Sequence, residues 1–334
     1  MSSIHVENSY IHSWGRNSFS SGNILLFYRL SINHLTDSSC PLLASVMRNN
    51  QTLRILILSV NNLEGPHFRD LMEALTTSRI EELQLDNNHL TDSSYPHLAS
   101  GIRNNQTLRT LNLAGNNLEG PHFRDLMEAL TTSRIEELQL SSNHLTDSSC
   151  PHLASGIRNN QALRRLDLAK NNLEGPHFRD LMEALTTSRI EKLQLKNTHL
   201  TDSSCPHLAS GIRNNKTLRT LDLSVNKLEG PHFRDLMEAL RTSQIEELQL
   251  WCNQLTDSSF PHLASGIRNN QTLRRLNLSD NNLGGPHFKI LMEALTTSRI
   301  EELQLWCNQL TDSSFPHLAS GIRNNQTLRR LNLS

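Results

Sequence analysis

The sequence is poor in aromatic side chains, which make up 4% of its 334 residues, and it has almost no net charge, −1 from 32 Lys+Arg against 33 Asp+Glu. A near-neutral chain lacks the bulk electrostatics that hold a polyanion, so nucleic acid is not an expected partner. Long apolar runs are missing too. The longest is Ile24-Leu25-Leu26-Phe27-Tyr28, far short of the ~20 residues that span a bilayer. No basic segment followed by an apolar one opens the chain as a secretory signal would. These absences predict a cytoplasmic protein without a membrane partner, in which the Asn-x-Thr triplets at Asn50, Asn105, Asn215, Asn270 and Asn325 carry no glycan. The five cysteines are an odd number, and no CxxC or His pair stands at ligand spacing. Neither a disulfide framework nor a metal site is therefore expected. Cys40, Cys150 and Cys205 share a recurring position with Tyr95, Phe260 and Phe315, a place that asks for apolar bulk. What the chain has in excess is leucine, 59 residues of it.

The leucines repeat. The segment IEELQLDNNHLTDSS at Ile80 returns at Ile135, Ile190, Ile245 and Ile300, a period of 55. Each period divides again, because Leu83-Gln-Leu85-x-x-Asn88-x-Leu90 is echoed by Leu111-Asn-Leu113-x-x-Asn116-x-Leu118. The steps alternate between 28 and 27 residues, giving eleven coils and the opening of a twelfth. A repeat of this length is one supersecondary unit that buries its apolar face only against its neighbours.

Within a coil, two leucines flanking one residue put both on the inner side of a short strand and the intervening residue outside. The Asn follows where the chain leaves the strand, and its amide can satisfy backbone groups left unpaired there. Stacking predicts a ladder through Asn61, Asn88, Asn116, Asn143, Asn171, Asn226, Asn253, Asn281 and Asn308, with a weak rung at Thr198. The rest of each coil reads as helix. Phe123, Leu126, Met127 and Leu130 recur at helical spacing after Gly120-Pro121, where proline suits a first turn. In the alternate coil, Tyr95, Leu98, Ala99 and Ile102 repeat that spacing, with Asp92 or Ser93 as the expected cap of the same helix.

Together, LTDSSCPHLASGIRNNQTLRTLNL and GNNLEGPHFRDLMEALTTSRIEELQL resemble the ribonuclease-inhibitor-like class of leucine-rich repeats. That class includes ribonuclease inhibitor, the C-terminal repeats of NOD-like receptors and Ran GTPase-activating protein. The resemblance implies an α/β leucine-rich-repeat solenoid, a horseshoe with parallel strands on the concave face and helices on the convex face. Asn at the turn of both coil types moves the likeness towards the NOD-like receptor and GTPase-activating groups. The repeat domain is placed at residues 25–334. Residues 1–24 lack the repeat and are expected to be disordered or a degenerate cap, and the chain is expected to be a fragment of a larger protein.

No GxxxxGK[ST], GxSxG, HExxH or kinase signature is present, so no catalytic residue and no cofactor is expected. The sixteen histidines do not alter that expectation. His67, His122, His177, His232 and His287 recur every 55 residues, and a residue copied in every unit belongs to the repeat. Candidate binding residues are instead the positions at which the units differ. After the second strand leucine stand Asp86, Ser141, Lys196, Trp251 and Trp306 in turn, while the coils between carry Ala114, Ala169, Ser224 and Ser279. These small neighbours are expected to leave the large side chains accessible. Trp251 and Trp306, with Asp280 between them, read as exposed anchors for a protein partner. Lys192 replaces a repeated glutamate and joins Lys196, Arg165 and Lys170 in a basic spot, partly offset by Asp167 and Asp222. Elsewhere Glu247 should face Arg275, and Glu302 should face Arg330. The favoured function is a non-enzymatic interaction module, the regulatory or ligand-sensing repeat region of an NOD-like-receptor-type protein. The alternative is a Ran-type GTPase-activating protein.

Overall fold

A computed structural model of the chain describes residues 27–333. Two compact units divide it, one comprising residues up to 144 together with 155–163, the other 145–154 together with 164 onward.

In the first unit the strands β1 (Phe27–Arg29), β2 (Ile55–Ile57), β3 (Glu82–Gln84), β4 (Thr110–Asn112) and β5 (Glu137–Gln139) pair in parallel and in chain order. Helices α1 (Cys40–Asn49), α2 (Phe68–Thr77), α3 (Tyr95–Asn104) and α4 (Phe123–Thr132) each pack on the next; α5 (Cys150–Asn159) holds residues of both units. The second unit repeats the scheme with β6 (Arg165–Asp167), β7 (Lys192–Gln194), β8 (Thr220–Asp222), β9 (Glu247–Gln249), β10 (Arg275–Asn277), β11 (Glu302–Gln304) and β12 (Arg330–Asn332). Its helices are α6 (Phe178–Leu185), α7 (Cys205–Asn214), α8 (Phe233–Leu240), α9 (Phe260–Ile267), α10 (Phe288–Leu295) and α11 (Phe315–Asn324). Parallel strands joined by helical crossovers, each packing on its sequence neighbour, are the leucine-rich-repeat architecture that the 55-residue period predicts.

The core is the leucine stack. Leu83, Leu85, Leu90, Leu111, Leu113 and Leu118 are completely buried or nearly so, and so are their counterparts as far as Leu305, whereas Leu310, Leu331 and Leu333 are partly or well exposed. Cys40, Cys150, Cys205, Tyr95 and Phe260 are fully buried at one equivalent position, and the rings there meet the phenylalanine of the next helix at 5.5 Å (Tyr95–Phe123) and 5.7 Å (Phe260–Phe288). Burial pushes the Cys40 thiol up to about 12, so it stays protonated and unreactive.

Two details of the helix starts differ from expectation. Asp92 does not cap its own helix: its Oδ1 accepts the backbone N–H of His122 at 2.9 Å, and its Oδ2 meets His122 Nδ1 at 2.6 Å, both at the start of α4 one coil on. Asp37, Asp147, Asp202 and Asp257 likewise accept the backbone N–H groups of His67, His177, His232 and His287, although the His67 and His177 rings turn to Asp70 and Asp180 of their own helices. The acid is drawn across because the first N–H groups of a helix have no internal partner. Pro121 likewise lies two residues ahead of α4, whereas Pro96 does sit in the first turn of α3.

Candidate functional site

The ladder asparagines are buried, and two kinds alternate. Asn116 accepts the N–H groups of Asn88 and Leu90 at 2.9 and 3.0 Å on Oδ1 and donates Nδ2 to the carbonyls of Leu85 and Leu113 at 3.1 and 2.8 Å. Asn61, Asn226 and Asn281 repeat this four-way bond, and Asn171 keeps its equivalents to Leu145 and Leu168. Asn88 and Asn253 use only the amide nitrogen, towards Leu58 and Leu223, while their Oδ1 atoms are buried without a partner. Asn143 donates to Leu113, and Asn308 to Leu278. Thr198 belongs to this second kind, and its hydroxyl donates to Leu195 at 2.7 Å. The substitution therefore forfeits less than the sequence pattern suggests, because the carbonyl oxygen that threonine lacks is idle at Asn88 and Asn253, although Asn308 Oδ1 accepts the Leu283 N–H at 3.3 Å.

A second column of asparagines lies at the far ends of the helices. Asn105 Nδ2 donates to the Leu75 carbonyl of the preceding coil at 2.7 Å, and its Oδ1 takes the N–H groups of Thr107 and Leu108. Asn215 and Asn270 are held the same way and are buried. Asn325 makes the same bonds, so four of the Asn-x-Thr triplets stand at this joint between coils.

On the outer strand face of the second unit, Glu247 and Arg275 stand opposite each other in register, as do Glu302 and Arg330. Arg275 Nε and Nη2 reach one Glu247 oxygen at 2.9 and 2.6 Å, and Gln249 donates to the other at 3.0 Å. Burial alone would raise the Glu247 carboxyl, but these hydrogen bonds and the arginine charge hold it below its ordinary value. Arg330 meets Glu302 at 2.7 Å. Both pairs are partly exposed, so each stabilises by at most ~1 kcal/mol.

This row changes at β7. Lys192 lies opposite Arg165 on one side and Thr220 on the other, and Gln194 opposite Asp167 and Asp222. Lys170 follows in a left-handed turn conformation at φ 55° and is exposed, as is Asp280 at φ 52°. The Lys170 N–H donates to the Lys196 carbonyl, and that of Asp280 to the Trp306 carbonyl, so each of these pairs occupies adjoining coils. The two groups touch: Lys196 Nζ sits over the Trp251 ring, 4.6 Å from its centroid, a contact worth ~0.5–1 kcal/mol at an accessible site.

Trp251 and Trp306 are half-buried, not exposed. The small residues between do not leave the indoles fully exposed. Ser224 and Ser279, which flank Trp251 on adjacent coils, are 0% exposed, with hydroxyls that have no partner among the described residues. Ala114 and Ala169, next to no tryptophan, keep partial exposure. Asp86, in the first unit, is drawn into its own surroundings, accepting from Ser59 at 2.6 Å and Asn112 at 3.1 Å. Cys252 is half-buried beside Asp280, and burial together with that carboxylate raises its thiol.

The repeated histidines serve the helix starts. His122, His232 and His287 meet the aspartates that cap their helices, and the Asp92 hydrogen bond raises the His122 imidazole. Among the described residues no group of three or more His, Cys, Asp or Glu side chains could hold a metal ion. No helix there is long and apolar enough to cross a membrane.

Comparison with known proteins agrees with this geometry. A leucine-rich-repeat family pattern matches residues 104–121, 214–231 and 269–286. Ribonuclease inhibitor from Sus scrofa is 31% identical over 316 residues, covering 92% of this chain and 69% of its own length. NACHT, LRR and PYD domains-containing protein 14 from Homo sapiens is 30% identical over 88% of the chain, and protein 3 of that series from Bos taurus is 34% identical over 79%. The chain spans only 28% and 26% of those two. Among solved structures, the leucine-rich repeat-containing protein LegL7 from Legionella pneumophila superposes with a TM-score of 0.55 at 20% identity, covering 83% of this chain and 89% of its own. An internalin from Listeria monocytogenes gives 0.52 at 20%, covering 90% and 83%. These two likenesses concern the fold alone. The repeat, the ladder and the extended match to ribonuclease inhibitor together establish that this chain belongs to the ribonuclease-inhibitor-like family of leucine-rich-repeat proteins.

Proposed function

We propose that the chain is a non-enzymatic protein-recognition module, the regulatory or ligand-sensing repeat region of an NOD-like-receptor-type cytoplasmic protein, which takes a protein partner on its strand face. The observation that carries this reading is the contact of Lys196 with Trp251, in a row where Trp306 takes the same place one period on, in an otherwise near-identical repeat. A half-buried indole has less freedom to lose than a fully exposed one, so ordering it costs little entropy when a partner settles on it. Lys192, Lys170 and Arg165 extend the platform with positive charge, suited to a partner with carboxylates beside an apolar anchor.

Replacing both Trp251 and Trp306 with alanine is expected to weaken partner binding at least tenfold while circular dichroism stays unchanged. Quantitative cross-linking in cell extract, wild type against the double variant, supplies the partner, and titration of that purified partner supplies the affinity. An affinity unchanged by the double substitution would remove the strand face from the reading. Adding the chain to a GTP-loaded Ran-type GTPase is expected to leave single-turnover hydrolysis unaltered; acceleration would select the GTPase-activating alternative.

A further inference from the structure

On the helix side of the second unit, three departures from the repeat meet in one place. The first is Arg241, at the end of α8, where the other units hold Thr76, Thr131, Thr186 and Thr296. The second is Ile290, in α10, where they hold Asp70, Asp125, Asp180 and Asp235. The third lies in the backbone. Helix α9 stops at Ile267, whereas α3, α7 and α11 continue to Asn104, Asn214 and Asn324. Arg268 is therefore extended (φ −61°, ψ 122°), and Asn269 turns left-handed at φ 61°. Arg241, Arg268, Asn269 and Ile290 all line a single cleft of about 510 Å³, with Pro261 and Ala264 completing an apolar wall.

The substitutions act in one direction. One adds a guanidinium, one removes a carboxylate, and the shortened helix frees the backbone that carries a second guanidinium. Neither Arg241 nor Arg268 enters an ion pair among the described residues, and the cleft is lined by no acidic side chain. A cation at a helix C-terminus offsets the terminal carbonyls, which would account for Arg241 alone. It does not account for Ile290, two helices further on and lining the same space.

We propose that this cleft binds a phosphoserine or phosphothreonine side chain of a protein partner. Two guanidinium forks answer a dianionic oxyanion, since each can place parallel N–H donors on its oxygens. The hydroxyls of Thr242 and Ser265 supply neutral donors beside them. The wall of Pro261, Ala264 and Ile290 gives the β-carbon and the flanking peptide an apolar rest, which a bare inorganic ion would not use. A nucleic acid backbone needs a row of cations to release many counterions, and here a pair stands on a chain of net charge −1.

The test uses the full chain and fluorescence anisotropy with short degenerate peptide pools, one centred on phosphoserine and one on serine. The phosphorylated pool is expected to bind at least tenfold more tightly. Arg241→Thr and Ile290→Asp, each restoring the residue that the repeat holds elsewhere, are expected to lower that binding at least tenfold and leave circular dichroism unchanged. Equal binding of the two pools, or indifference to both substitutions, overturns the site. Displacement of the pool by inorganic phosphate at equal concentration overturns the peptide assignment, as does tighter, Arg241-dependent binding of single-stranded RNA or of phosphatidylserine vesicles.

Discussion

Replacing Asn116 with alanine is expected to cost about 4 kcal/mol of stability, while replacing Asn88, the adjacent rung, with threonine costs about 1 kcal/mol or less. Both asparagines are essentially inaccessible to solvent. Truncating Asn116 leaves the N–H groups of Asn88 and Leu90 without an acceptor in a dry site. Each orphaned buried donor costs ~1–3 kcal/mol. Asn88 differs because its Oδ1 is already buried without a partner. Threonine removes that unpaired acceptor and keeps one donor, as Thr198 does at its own rung with the Leu195 carbonyl. Urea unfolding of the full chain reads the two losses. Because solenoids can unfold by segments, amide hydrogen exchange at Leu90 provides the local check: protection should collapse in Asn116→Ala and persist in Asn88→Thr. Equal losses would show that the ladder works by side-chain volume and not by bonding.

The strands, the helices and the leucine core were legible because each depends on periodicity, and periodicity survives in a linear sequence. The inner leucines had to alternate with outer residues, and the helical stripe from Phe123 to Leu130 had to turn inward. What was not legible were the contacts between coils. Asp92 has the same sequence neighbours whether it caps its own helix or the next, and only the stacking decides for the next. Nothing in the neighbours of Glu229 along its own coil marks its role, yet its carboxylate gathers the hydroxyls of Thr256, Ser258 and Ser259 in the following coil. Glu174 does the same one period earlier and Glu64 three periods earlier, and at Gly284 the glutamate is absent. A signal did exist: acid and hydroxyl recur at fixed offsets in every period. For the candidate site, the variable row picked out Lys196, Trp251 and Trp306, but the assumption that small neighbours mean open access failed. Arg241 and Ile290 are also breaks in the repeat, on helices where only the strands had been compared.

Replacing Gly230 with alanine is expected to cost about 3 kcal/mol, although the position lies in a loop and the change adds one methyl group. Gly230 has φ +156°, where an L side chain is strained, and a β-carbon built there would stand 2.4 Å from Asp202 Cγ. The carboxylate it would displace accepts the N–H groups of His232 and Phe233 at 2.8 and 3.0 Å and meets His232 Nδ1 at 2.7 Å. Backbone strain and the loss of a helix cap each contribute ~1–2 kcal/mol. A double-mutant cycle separates them. Asp202→Ala alone should cost only the cap, about 1–2 kcal/mol. Removing the carboxylate relieves the 2.4 Å approach to Cγ but leaves the β-carbon of residue 202 2.7 Å from the new methyl, so Gly230→Ala should then cost the backbone strain and that remaining contact. The double variant is therefore expected to be more stable than the sum of the single losses predicts, by roughly the cap energy. Strict additivity would mean that the glycine is needed for its backbone conformation alone, and that the aspartate crossing from the preceding coil does not require it.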